Sequence, residues 1–484
     1  MEIENIFEYQ KLISKKKEDI QILNTLRYDV SRSYTKQNPI KKIIYFIYRE
    51  GFFKTIKKIR SRVYYNKVEK EHLLVEAKNS DNYYLYGYQF SQNQPIYYFF
   101  KTSTEKMVLE RFQGLNPFVS FPEKFEGIEL SKSYTNHFIP IIEGAEEETK
   151  FPDYNLFAIG FGDYCNVNVI NNFKDFHKLF LCEFDYNILA CEKAKKFYMR
   201  TNDFSQIRKY SELKSKVNLA IISTYHSYHA SQAVYFLKSV PNSKAVIEKP
   251  PAVTFKDLDL LLEAFDPKRV FIGYNRRYIK TNQIIRKMIK KYNDPVIINM
   301  EIKELALNQN HWYFAPNQGT RIIGNLCHWI DLASFLIDLR PIEIGITKNK
   351  KLGIDYSIFT IQFEDGSIVN LIPSDWGDGI RGVTEKITIR SKSYEINIDD
   401  YLKIKIWENG KQKICRYIRR DKGHENMYRC FHDWIINNLE SDYKIKDLIY
   451  SSFIYMKFVE LFNSDESVLS LDFSAYNNYL ECFN

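Results

Sequence analysis

Two residues far apart in this 484-residue chain have the chemistry to move a proton together. One is Lys249, in the triplet Glu248-Lys249-Pro250; the other is His328, in Cys327-His328-Trp329-Ile330-Asp331. The apolar run Ala245-Val246-Ile247 ends at Glu248, so Lys249 stands at the mouth of an expected parallel strand. A histidine titrates near neutrality and can take a hydroxyl proton, while a nearby lysine can polarise the oxygen or relay that proton. Such a pair suits a reaction in which a proton and a hydride leave one carbinol. Taken singly, Lys249 reads as a solvated lysine before a structural proline, and His328 as a histidine satisfied within a helix.

A glycine turn upstream offers the hydride a destination. Gly160-Phe161-Gly162-Asp163-Tyr164-Cys165 falls between a short apolar strand and the segment after it, where a dinucleotide fingerprint belongs. Gly160 permits the tight turn, and Gly162 lets a pyrophosphate approach backbone N–H groups; Cys165 takes the third glycine's place. Glu183 and Asp185 end the next strand, about 20 residues on, where a carboxylate holds ribose hydroxyls, and an acid there predicts NAD over NADP. The plainer alternative is an ordinary strand-turn-helix corner with exposed acids. Ser223-Thr224-Tyr225-His226-Ser227-Tyr228-His229 ends the third strand and borders the expected nicotinamide half, which makes Thr224 and His229 cofactor contacts or helix caps. Neither histidine has a Cys or carboxylate at ligand spacing, so no metal is expected.

These residues need rigid elements to hold them. From residue 155 short apolar strands (156–160, 179–185, 218–224, 245–250, 269–274) alternate with helix-like runs, including 188–197 and 255–265. That alternation predicts a doubly wound parallel sheet covered by helices on both faces. Beyond Tyr278 the strands lengthen and alternate, with hairpin signals at Asp365-Gly366 and Asn409-Gly410, and a helix closes the chain at 425–439. The predicted fold class is therefore α/β. It has an N-terminal extension (1–150), a dinucleotide-binding domain (151–278) and a C-terminal α/β domain with a large open, mostly antiparallel sheet (279–484). In the extension, 6–26 is helix-like, 83–100 is strand-like with a turn at Asn93-Gln94-Pro95, and Glu146-Glu147-Glu148 with Pro152 reads as a linker or surface loop.

Taken together, residues 155 to about 480 resemble the Gfo/Idh/MocA family of nicotinamide-dependent sugar oxidoreductases. The resemblance is carried by Gly160-Phe161-Gly162, the Thr224–His229 loop, Glu248-Lys249-Pro250, Gly273-Tyr274-Asn275-Arg276-Arg277-Tyr278, and the stretch from Gly319 to Asp331. Asp421-Lys422-Gly423-His424 further resembles members from polysaccharide gene clusters. The resemblance implies a Rossmann domain followed by a sheet that floors the substrate site. It also implies Lys249 beside the nicotinamide with Glu248 and Pro250, and His328 facing the reacting carbon. On the substrate side Arg276, Arg277, Tyr278, Trp312, Arg321 and Trp376 are candidates, since aromatic faces stack on sugar rings and arginines suit carboxylates or a diphosphate. The sequence departs from the family pattern where an acid is usual four or three residues before the histidine: Gly324 and Asn325 stand there. Lys249 and His328 then suffice, or Asp331 or another acid substitutes, or turnover is lost and the chain is a cofactor-binding scaffold. An NAD-dependent glycosidase is a third use of the same fold.

Composition bounds the rest. The seven cysteines are scattered and form no CxxC pair, no apolar stretch reaches the ~20 residues of a membrane span, and Met1-Glu2-Ile3-Glu4 lacks a signal-peptide pattern. A cytoplasmic protein is expected, with a sugar or nucleotide-sugar substrate and a homo-oligomeric state. The net charge of +9 is concentrated in residues 39–62, where eight Lys/Arg face one Glu. Interleaved with Ile, Phe and Tyr, this stretch fits an amphipathic helix lying on an anionic membrane surface or packing on the chain's own core. No nucleic-acid module accompanies it, so nucleic acid is not expected as a partner.

Overall fold

The computed structural model describes residues 20–27, 47, 55–56, 70–77, 83–91, 94–102, 151–160, 164–173, 176–182, 201–203, 218–224, 226–306, 319–349, 351–377 and 383–481. Gly162, Glu183, Asp185, Trp312, the run 188–197, the acidic run at 146–148 and nearly all of 39–62 lie outside them. In that basic stretch residues 47, 55 and 56 are helical, and Thr55 is buried.

Near the N-terminus β1 (Ile20–Arg27), β2 (Lys70–Ala77), β3 (Tyr83–Ser91) and β4 (Gln94–Thr102) form an antiparallel meander in sequence order. The β3–β4 hairpin was legible as two strands around a turn, and Ser91 pairs with Gln94 across it. The last part of the expected opening helix is instead β1. Pairing along β2, from Ile20↔Ala77 to Arg27↔Glu71, outweighs the helical spacing of its apolar residues.

The central layer is a parallel sheet of β5 (Phe151–Ile159), β6 (Phe176–Cys182), β7 (Thr201–Asp203), β8 (Leu219–Ile222), β9 (Lys244–Glu248) and β10 (Val270–Gly273), in the order β10-β9-β8-β5-β6-β7. The first strand lies in the middle and the order reverses between β5 and β8, which is the Rossmann arrangement with its ligand crevice at the switch point. β8, β9 and β10 are buried at every position, as strands covered on both faces must be. Helices α1 (His229–Ser239) and α2 (Phe255–Ala264) cover one face, α2 starting at a Thr254–Asp257 capping box.

The other face is covered in part by α5 (His424–Ile436), from far down the chain. Met427, Tyr428, Phe431 and Ile435 of α5 pack on Leu156, Ala158, Val246 and Phe271 of the parallel sheet. Each such side chain contributes roughly 1.5–3 kcal/mol of burial. The Lys244 ammonium adds a tie by donating to Asn438 Oδ1 at 2.8 Å and to the Ile435 carbonyl at the end of α5. A linear division at residue 278 therefore assigns to the second domain a helix that packs on the first.

The C-terminal sheet has the order β18-β17-β16-β15-β11-β14-β13-β12-β19. Its strands are β11 (Ile297–Lys303), β12 (Pro341–Thr347), β13 (Ile358–Phe363), β14 (Ile368–Ser374), β15 (Thr384–Arg390), β16 (Tyr394–Asp399), β17 (Lys403–Glu408), β18 (Lys411–Arg416) and β19 (Val468–Ser470). Only β11–β14 is parallel. Burial alternates along these strands, so one face is covered. The apolar cluster joining that face takes in residues of α3 (Lys280–Tyr292), α4 (Cys327–Ile337) and α6 (Ile445–Asn463). At the β17–β18 hairpin Asn409 and Gly410 both have positive φ, as a two-residue turn of that hand requires. Helices α3 and α6 have no counterpart among the sequence expectations. No helix among the described residues is long and apolar enough to cross a membrane.

Candidate active site

The first glycine turn meets the end of the third strand of the parallel sheet at the switch point. Ser223 N donates to the Ile159 carbonyl at 2.9 Å, and Ser223 Oγ to the Gly160 carbonyl at 2.5 Å. Gly160 has φ +82°, and a Cβ there would lie 2.7 Å from Thr224 N, Thr224 Cγ2 and Ser223 C. Only glycine fits this corner, where the turn packs against the end of the strand. Thr224 turns its hydroxyl to Gln232 Oε1 at 2.6 Å.

His229 is buried, with Nδ1 2.8 Å from the Pro250 carbonyl and Nε2 3.2 Å from the Thr224 carbonyl. Burial lowers its pKa to about 4 against the pull of those carbonyls, so the ring is neutral and donates to one of the two. It clamps the loop after β8 to the Lys249-Pro250 step, whose peptide bond is cis.

Lys249, half-buried at the end of β9, donates its ammonium to the Gly324 carbonyl at 2.9 Å. Gly324 lies in a π-helical turn, Ile322–Leu326, that runs into α4. Such turns leave main-chain carbonyls unevenly engaged and recur at functional sites. His328 follows within α4, half-buried, its ring edge-on to Tyr274 at 6.4 Å. Its Nδ1 is buried without a hydrogen-bond partner. Burial first, then the charges of Arg276, Lys249, His424 and His226, push the His328 pKa well below its ordinary range, so the imidazole is neutral and holds a proton less readily than a free histidine.

Glu248, expected to touch the cofactor, turns inward. Its carboxylate accepts a hydrogen bond from Tyr428 of α5, and Tyr428 meets Tyr164 oxygen to oxygen at 3.1 Å. Burial pushes the Glu248 pKa up to about 7 despite the Tyr428 hydrogen bond and Lys249. The glycine-turn segment, the lysine triplet and the C-terminal helix are thus joined by one polar chain. Tyr164, Tyr428 and His424 escaped the sequence reading as site residues. His424 and Tyr428 lie four apart on one helix, and the Asp421–His424 motif was the available signal. Gly423 has φ +77°, and a Cβ there would fall 2.0 Å from the Asn275 carbonyl oxygen, which explains the glycine in that motif.

Arg277 and Tyr278 are corrected by the structure. Arg277 makes two 2.7 Å bonds to Asp331 and one of 3.0 Å to Asp447, with its guanidinium over the Tyr443 ring, and is 1% exposed. Tyr278 is buried and donates to Asp442 at 2.8 Å. Neither retains a group to offer a substrate. Arg276 is similarly held by Glu385. Asp331 is not the missing acid either, because Arg277 and Ser451 engage its carboxylate in the core. Arg321 and Trp376, by contrast, stand beside consecutive residues, Arg321 paired with Asp355 and Trp376 against the Tyr356 ring.

Comparison with solved structures decides the architecture. An aldose-aldose oxidoreductase from Caulobacter crescentus, complexed with glycerol, superposes with a TM-score of 0.55 at 13% identity, over 66% of this chain and 99% of that one. Myo-inositol dehydrogenase from Lactobacillus casei, in complex with NAD(H) and myo-inositol, gives 0.53 at 14% identity, over 66% and 97%. The chain has the Gfo/Idh/MocA oxidoreductase fold. A putative NADPH-dependent oxidoreductase from Desulfitobacterium hafniense gives 0.54 at 14% identity, over 66% and 97%. No family model and no curated protein matches the chain by sequence. Each neighbour is covered almost end to end, so about a third of this chain is additional to the Gfo/Idh/MocA fold.

Proposed function

We propose that this protein is a nicotinamide-dependent oxidoreductase that transfers a hydride at a secondary alcohol or ketone of a sugar or nucleotide sugar. The observation that carries the reading is the Lys249–Gly324 contact, which sets the ammonium four residues ahead of a neutral, half-buried His328. The neighbours' names, an aldose-aldose oxidoreductase and a myo-inositol dehydrogenase, support a polyhydroxylated substrate. Gly160 and the Ser223-Thr224 corner would hold the cofactor's pyrophosphate, with Gly162 beside it, and Glu183 or Asp185 favour NAD. When bound, the nicotinamide accepts or returns the hydride. His328 takes the hydroxyl proton, and the Lys249 ammonium stabilises the developing charge on that oxygen. His229 and Pro250 keep the Lys249 backbone in place. The likeness of residues 421–424 to polysaccharide-cluster proteins points to surface polysaccharide synthesis.

A catalytically silent scaffold is the second reading, favoured by Gly324 in place of an acid. Both are tested by analysing cofactor carried by the purified chain and following reduced-nicotinamide absorbance over a sugar and nucleotide-sugar panel. Turnover that falls by about 10²–10⁴-fold in Lys249→Met supports the enzyme. Failure to bind any nicotinamide cofactor overturns both readings. Cofactor binding with no turnover, unchanged by Lys249→Met, leaves the scaffold.

A further inference from the structure

About two helical turns before His328, a second group of side chains stands that proton transfer does not use. Arg321 is 5% exposed, with Nε 2.9 Å from Asp355 Oδ1 and a buried Nη2 that has no hydrogen-bond partner. Asp355 lies in the short 3-10 turn Ile354–Tyr356. Tyr356 donates its hydroxyl to Asp375 Oδ1 at 2.5 Å, and its ring meets that of Trp376 at 5.2 Å and 57°. Trp376 is 57% exposed and tied to Leu305 by a backbone bridge. An indole face open to solvent, a carboxylate and a half-satisfied guanidinium therefore stand on neighbouring elements.

Their chemistry selects a ligand. An exposed indole stacks on the C–H face of a sugar ring. A buried N–H without an acceptor favours any ligand oxygen that reaches it. A hydroxyl accepts from the guanidinium and donates to the carboxylate beside it, so the Arg321–Asp355 pair matches adjacent sugar hydroxyls. Charge then divides the sugars. Burial holds the Asp355 carboxyl above its ordinary range, and Asp375 and Glu304 push the same way against Arg321. Asp355 is paired with Arg321 Nε, and Asp375 and Glu304 add negative charge beside that carboxylate. An incoming carboxylate or phosphate meets repulsion there, whereas a neutral hydroxyl or an ammonium does not.

We propose that Arg321, Asp355, Tyr356, Asp375 and Trp376 form a subsite for a neutral or amino-substituted sugar ring, and that this subsite rejects uronates and sugar phosphates. The proposal rests on the sugar-oxidoreductase reading for its link to His328, but the binding itself needs no turnover. It narrows the roles first given to Arg321 and Trp376, because a diphosphate is not what this end of the site would hold.

The test is calorimetric and ligand-detected NMR binding to the full chain. The panel holds neutral aldohexoses and inositols, their 2-amino counterparts, and the matching uronates and 6-phosphates. Neutral and amino members are expected to bind, and Trp376→Ala to weaken them at least about fivefold with an unchanged circular dichroism spectrum. Asp375→Asn combined with Glu304→Gln is expected to admit the uronates. Preferred binding of uronates or phosphates by the unaltered chain overturns the proposal. So does a Trp376→Ala chain that binds as before, and so does absence of binding by every panel member. Lys249→Met separates the two readings: it lowers turnover by about 10²–10⁴-fold under the functional reading yet leaves subsite binding intact.

Discussion

Two sets of basic side chains meet at α4, and they have opposite partners. Toward the core, Arg276 and Arg277 are enclosed by carboxylates: Glu385 holds Arg276 and also Arg420, while Asp331 and Asp447 hold Arg277. Toward the crevice, Lys249 is held by a backbone carbonyl, and His328 by ring contacts with Tyr274 and Trp329. The paired set shows what pairing does. Burial pushes Glu385 up, yet Arg276 and Arg420 bring its pKa down to about 2, so the network stays ionised and closed. A cation enclosed in this way fixes the structure around it. Lys249, at the end of its strand, donates instead to a main-chain carbonyl, where an arriving oxygen would need its charge.

The comparison breaks most visibly at Arg277. Replacing it by Met strands the Asp331 and Asp447 carboxylates in the core without their counter-ion. A loss of about 3–5 kcal/mol of folding stability is expected in a denaturant titration. Lys249→Met, although it also removes a cation, should leave that titration nearly unmoved while it reduces turnover. If the two variants destabilise equally, the division into structural and chemical cations fails.

Much of this arrangement was legible in the sequence, for identifiable reasons. The strands of the parallel sheet are continuous apolar runs, Gly160 sits where the turn demands it, and Lys249 and His328 occupy recognisable frames. What escaped was long-range. Arg277 looks like a substrate ligand because a motif shows the guanidinium but not the two acids, 54 and 170 positions on, that take it. Tyr428 was passed over because its partner, Glu248, is 180 residues away and only the Asp421–His424 motif hinted at its helix. The missing acid at 324 left three alternatives open, since no sequence pattern reveals that a π-helical turn would aim a carbonyl at Lys249. The strand at Ile20–Arg27 was misread because pairing with β2, not local spacing, decides it.

Glu248 offers a middle-sized test, because it is a buried acid without a full counter-ion. Its pKa is about 7 in the folded protein against an ordinary 4.5, so between those values the folded chain binds a proton that the unfolded chain has released. Its contribution to stability therefore falls as pH rises from 4.5 to 7. His229, lowered to about 4 from 6.5, has the opposite slope below 6.5, so the wild-type curve blends the two. Glu248→Gln isolates the first. The variant should match the parent near pH 5 and exceed it near pH 8 by on the order of 1–3 kcal/mol. Equal curves at both pH values would place Glu248 among the fully paired groups instead.

The finest test moves Lys249 from one class to the other. Gly324→Asp sets a carboxylate on the turn that now offers only a carbonyl, which should favour the ammonium and shift the basic limb of the pH–rate profile upward by about 1 unit. Gly324→Ala retains the carbonyl and should leave the limb where it is. A profile that ignores the aspartate would mean that the Gly324 contact does not govern Lys249 during turnover. An upward shift would show that position 324 tunes the lysine the chain employs, and that the absent acid sets the working pH without deciding whether the chemistry occurs.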